Sequence, residues 1–315
     1  MRTLLKMTAL LSIAVFAAVA VAHLRPKVPR SALAIAADEA QRCEAPNLPV
    51  YPKGTYQRRV AANDYLSFAV ASMNVYSDGA PKGVTLDKHS PEWREVGVWD
   101  KAGLAFRVYH RDDTDRLTVL TVLRGTENQD ASDWLANASW LVAWLPIETQ
   151  YDEARLVFQA TRKQAYEAAK GRKVGFITAG HSLGGGLARH LALAYPCVSA
   201  AIFNSSMVEQ RYRLAEPYSN AMIVHTFEDL DELTRVQRLF FTDRETQTYK
   251  HYRQDAVNDR AEFQHTMTGL AVGMARQVLR CQEKRAECPV PSSDTRARRL
   301  YCQSWGTNSP LCKGN

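Results

Sequence analysis

The longest apolar stretch of the chain comes first. Met7 to Ala22 is interrupted only by Thr8 and Ser12, follows Arg2 and Lys6, and ends on the small residues Ala20-Val21-Ala22. A basic start, an apolar core and a small-residue site make a secretory signal. The run also approaches the ~20 residues of a membrane span, so the alternative for residues 1–22 is an uncleaved anchor. Cys43 stands away from the run, which speaks against a lipid-modified cysteine. Residues 23–50 read as a proline-punctuated linker, 51–280 as the folded domain and 281–315 as a cysteine-rich basic tail.

Within the domain the rhythm changes from helical to alternating and then to mixed. "NDYLSFAVASMNVY" has helical spacing, whereas "EWREVGVW", "GLAFRVYHR" and "RLTVLTVLRGT" read as successive strands, with a hairpin turn at Asp112 to Asp115. After them the pattern predicts helices over 132–145 and 151–169, a strand over 173–179, a helix over 183–194, strands over 199–204 and 221–227, and a closing helix over 266–279. Strands alternating with helices predict an α/β fold with a mostly parallel central sheet flanked by helices, and antiparallel strands at the N-terminal edge. In the segment 132–145, Trp134, Leu135, Ala138, Leu141, Val142 and Leu145 form one apolar stripe while Trp140 and Trp144 pair on a neighbouring face. Such a helix is more apolar than one buried face requires, and burial on two sides would account for it.

With 315 residues, 46% hydrophobic and 23% charged, the chain has material for one sizeable core. Six cysteines in a chain with an export signal predict disulfides that staple the tail to the domain or to itself. Their spacing has no Cys-x-x-Cys and no partnering histidines, which speaks against zinc. The net charge of +7 favours anionic surfaces. No nucleic-acid motif accompanies it.

The candidate chemistry lies in "GFITAGHSLGGGLARH". Gly180-His181-Ser182-Leu183-Gly184 is a Gly-x-Ser-x-Gly pentapeptide, and by chance such a match arises in roughly one chain in twenty of this length. Its setting raises its weight: an apolar strand leads in and a helix-spaced run leads out, the strand-turn-helix of a nucleophile elbow. A serine hydroxyl needs a base to take its proton, and that base needs an acid to hold its tautomer. The chain order of this fold is serine, acid, histidine. His190 and His225 come too early, leaving His251 and His265, of which His265, just before the closing helix, is the expected base. His251 sits in the strand-like alternation of "TYKHYRQD". The acid belongs to "EDLDEL" after the second strand past the elbow, at Asp229 or Asp231.

"ITAGHSLGGGLA" and "VLRGTENQDASDWLAN" together resemble the class 3 lipases, the fungal-type lipase branch of the α/β-hydrolases, over roughly Asn63 to Leu279. The resemblance implies Ser182 as nucleophile, and an oxyanion hole formed by Thr126, through its hydroxyl and N–H, and by the N–H of Leu183. It gives Asp133 a tethering part. Asp231-Glu232-Leu233 fits the family's Asp-x-apolar pattern, while Asp229 is nearer the strand end. The family's His-x-Gly-Phe stretch is absent, and "ETQYDEARLVF" stands in its place. Together these features predict an exported serine hydrolase of carboxylic esters, with lipid substrates at a membrane or droplet surface and no cofactor or obligate protein partner. A short-chain esterase and a catalytically silent hydrolase-like binding protein are the alternatives.

Overall fold

The computed structural model describes residues 39, 41–51, 55–76, 81, 83–101, 104–125, 150–206, 222–228, 249–254, 266–283, 295–304 and 309–312. Thr126, Asp133, Asp229, Asp231, His265, the segment 132–145 with its tryptophans and the apolar start of the chain lie outside the described residues.

Among the described residues seven strands run in chain order across one sheet: β1 (Arg94–Lys101), β2 (Leu104–Asp112), β3 (Arg116–Leu123), β4 (Lys173–His181), β5 (Val198–Phe203), β6 (Ile223–Glu228) and β7 (Tyr249–Gln254). The first two pairings are antiparallel and the remaining four parallel. The β2–β3 hairpin turns at Asp113, whose N–H donates to the Arg116 carbonyl. This is the mixed sheet the alternation predicts, and with helices on both faces it is the expected α/β fold.

A parallel run with no reversal of order places right-handed crossover helices on one face. The two crossover helices described, α3 (Gln150–Ala169) and α4 (Leu183–Ala194), share one core with that face: Phe158 and Leu191 pack with Val119 and Phe176. The other face must therefore be covered by elements outside the parallel run. They are α1 (Thr55–Asn74), which precedes the sheet with the four-residue α2 (Leu86–His89), and α5 (Met267–Glu283), which follows it. Tyr65 and Met73 of α1 and Leu270 and Met274 of α5 pack on Leu120 and Ile177. Val119 and Leu120, like Phe176 and Ile177, are chain neighbours on opposite sides of the sheet, as the two-residue period of a strand requires. Because both faces are covered, the parallel strands read as continuous apolar runs.

The end of the expected linker docks on this domain. Cys43 is buried, pairs as an isolated bridge with Val174 at the start of β4, and forms a disulfide with Cys197. Beside it the buried Arg162 guanidinium lies 4.3 Å from the Phe176 ring centre, donates to Glu39 Oε2 at 2.7 Å and to the Pro196 carbonyl at 3.2 Å. A second disulfide, Cys302–Cys312, ties α6 (Thr295–Ser304) to the short turn Pro310–Cys312, so this part of the tail is stapled to itself. Among the described residues no helix is long and apolar enough to cross a membrane.

These two disulfides among the described residues close loops of very different length, 154 and 10 residues of separation. Chain entropy makes the first worth about 5 kcal/mol and the second about 3. Paired serine substitutions at 43 and 197 are therefore expected to lower the urea midpoint more than the same change at 302 and 312. Equal midpoint shifts in the two variants would refute that ordering.

Candidate active site

The parallel β3, β4 and β5 all end at one edge, and the chain turns there from β4 directly into α4. Ser182 occupies the turn with φ 56° and ψ −125°. A positive φ is rare for a residue with a side chain, and it lifts the serine out of the strand before the helix begins. The turn is held from three sides. Ser182 N–H donates to the Phe203 carbonyl at 3.1 Å, and the Ser182 carbonyl accepts from Gly186 N–H at 3.1 Å and from Ser206 N–H at 2.9 Å. Leu183 is the first residue of α4, so its N–H belongs to the helix start where unpaired backbone donors favour an anion.

Glycine is required here for space. A Cβ on Gly184 would lie 2.2 Å from the Leu123 carbonyl oxygen and 2.7 Å from the Arg124 carbonyl carbon, and one on Gly180 would meet the Gly184 backbone at 2.4 Å. All of these are backbone atoms at the crossing of α4 with the end of β3. Gly184→Ala is expected to separate that crossing and cost about 3 kcal/mol or more, the range of severe overpacking. Gly97→Ala in the edge strand β1, where the nearest atom is 3.9 Å away, is the control and should shift Tm little. Equal Tm values for the two variants would contradict the close approach.

Around the elbow the structure assembles residues that the sequence pattern did not single out. β5 is followed by Asn204-Ser205-Ser206, all buried. Asn204, at φ 37°, accepts the Glu228 N–H on Oδ1 at 3.0 Å, and Ser205 N–H donates to His225 Nε2 at 3.2 Å. This corner fixes the end of β6, from which Asp229 and Asp231 continue. Glu228 itself is buried. On the opposite side Tyr76, two residues past α1, reaches His181 and Gly125 with its hydroxyl. Asn204 and Tyr76 have no signature in the local pattern; a left-handed asparagine after a strand is the one sequence-level hint.

The histidines divide clearly. His225 accepts from Ser205 within the sheet, and His190 is buried with its ring 5.0 Å from Tyr151. His251 stands in mid-strand in β7, in register with His225 and three residues before the strand ends. His265 directly precedes Thr266, whose Oγ1 accepts the Gly269 N–H at 3.0 Å and caps α5.

The chain matches the family model described as Phospholipase-like, Tle-like phospholipase domain, over residues 67–278. No curated protein matches it in sequence. Among solved structures it is similar to a lipase–propeptide complex of Rhizomucor miehei, at 13% identity and TM-score 0.44 over 73% of this chain and 84% of that one. It is also similar to a lipase of Rhizopus microsporus var. chinensis, at 12% identity and TM-score 0.41 over 62% and 76%, and to lipase II of Rhizopus niveus, at 12% and 0.42 over 57% and 76%. The family match spans the described sheet from α1 to α5 and encloses the elbow, so the chain belongs to the Tle-like phospholipase domain family and is an ester hydrolase of the α/β-hydrolase fold.

Proposed function

We propose that this protein is an exported serine hydrolase that cleaves acyl esters of phospholipids or triacylglycerols through an acyl-enzyme on Ser182. One observation carries the proposal: a serine at positive φ, on a turn between a central parallel strand and a helix whose first residues face the strand ends. Ser182 Oγ attacks the ester carbonyl carbon while His265 takes its proton, with Asp231 or Asp229 holding the imidazole. Thr126 and the Leu183 N–H carry the charge of the tetrahedral oxyanion. Collapse breaks the bond to the alcohol, which leaves with the proton from His265; water, deprotonated by the same histidine, then releases the fatty acid and restores Ser182. Each cycle converts one ester and one water into one acid and one alcohol.

The family description favours phospholipids, and the net charge of +7 favours an anionic bilayer. Export is supported by the signal-like start and by disulfides that an oxidising compartment maintains. A fluorophosphonate probe on the purified protein, followed by hydrolysis of phosphatidylglycerol vesicles, triolein emulsion and p-nitrophenyl butyrate, tests both levels. Labelling of Ser182 with release of fatty acid from either lipid is the expected result. Labelling with activity on the butyrate alone would make it a short-chain esterase, and no labelling would make it a silent binding protein.

A further inference from the structure

β3 ends at Leu123 and Arg124 N–H still donates to the Ala105 carbonyl of β2 at 2.8 Å, so it is the next N–H, that of Gly125, whose position something other than the sheet must set. Gly125 N–H donates to the Tyr76 hydroxyl oxygen at 3.1 Å. The same hydroxyl is 3.0 Å from His181 Nδ1, and the His181 carbonyl is 3.5 Å away. The hydroxyl oxygen accepts from Gly125 and pairs with His181, with Nδ1 as donor or acceptor according to the ring tautomer. One hydroxyl thus joins three elements: the end of α1, the end of β3 and the residue next to Ser182.

The clasp is tight and is itself held. A Cβ on Gly125 would lie 2.7 Å from the Tyr76 hydroxyl, 2.7 Å from the His181 carbonyl oxygen and 3.3 Å from the Ser182 Cβ. The Tyr76 and His181 rings meet edge to face at 5.9 Å. The turn that carries Tyr76 is fixed by the buried Asn74, which donates to the Val84 carbonyl and accepts from Leu86 N–H, both at 2.8 Å. Tyr76 N–H donates to the Met73 carbonyl at 3.3 Å. A hydroxyl on a rigid turn is a fixed point against which the Gly125 peptide is set.

We propose that Tyr76 is a positioning residue for ester hydrolysis: its hydroxyl holds the Gly125 peptide at a set distance from the nucleophile elbow, and so fixes the entry to the oxyanion-binding segment. The proposal rests on the serine-hydrolase reading above. An oxyanion hole acts on the transition state and not on the bound ester, so a misplaced Gly125 peptide lowers kcat and leaves KM alone.

The test is Tyr76→Phe, which keeps the ring and removes only the oxygen, with rates normalised to the Ser182 sites titrated by a fluorophosphonate. The expected result is a kcat about 10- to 100-fold lower, a fraction of the loss for a whole oxyanion donor, with KM within about twofold. The affinity for an alkylboronic acid, which forms the tetrahedral adduct on Ser182, should fall by the same factor as kcat/KM. His181→Asn, whose side-chain amide can donate to or accept from the hydroxyl in place of Nδ1, should keep more of kcat than His181→Leu. A wild-type kcat per titrated site in Tyr76→Phe, or a loss confined to KM, overturns the proposal, as does His181→Leu outperforming His181→Asn. Ser182→Ala separates the two levels: if it is dead while Tyr76→Phe is fully active, only the positioning role fails, and if it is active the hydrolase reading fails first.

Discussion

Ser182→Ala abolishes ester hydrolysis and leaves the fold intact: that is the largest effect expected of any single substitution in this chain. Loss of a catalytic serine costs about 10⁶ in kcat where an intact triad is at work. The variant should fold because what holds the turn is backbone. The bonds from Ser182 N–H to Phe203 and from Gly186 and Ser206 to the Ser182 carbonyl survive in alanine. The φ of 56° is as costly for alanine as for serine. Far-UV circular dichroism and Tm should match the wild type while fatty-acid release falls to background and the fluorophosphonate no longer labels. Activity within tenfold of the wild type would remove Ser182 from the reaction.

His265→Ala is expected to be as damaging, and His251→Ala nearly harmless. His190 and His225 are built into the interior, and His251 lies inside a parallel ladder beside His225, short of the strand ends where Ser182 sits. A general base must come within hydrogen-bond reach of the serine hydroxyl, and a mid-strand position is poorly placed for that. His265 directly precedes the capped start of α5, the point at which the chain returns from the sheet to the face it shares with α1. Since base and nucleophile act as a unit, the double variant Ser182→Ala with His265→Ala should be no slower than either single one. Initial rates on a soluble p-nitrophenyl ester decide the matter. A dead His251→Ala beside an active His265→Ala would reverse the assignment.

By itself the sequence determined whatever depends on local pattern. Short apolar runs bounded by turn residues placed β2, β3, β4 and β6 to within two or three residues at each end, and the helical period placed α3, α4 and α5, because a buried strand is short and continuous whereas a helix returns a side chain to the core every three or four residues. The elbow was legible for the same reason: strand, glycine turn and helix are contiguous, and the pentapeptide states its own geometry. Tertiary structure alone decided what meets what. The sequential order of β3 to β7 leaves one face for α1 and α5, which stand at opposite ends of the domain in the chain. The Cys43–Cys197 bond spans 154 residues, and no spacing rule yields such a pairing among six cysteines. Tyr76 lies 105 residues from His181, and Asn204 lies 24 from Glu228. Those contacts arise because parallel strands bring residues remote in sequence to one edge of the sheet. A periodicity read along a single segment carries no record of which other segments will stand beside it.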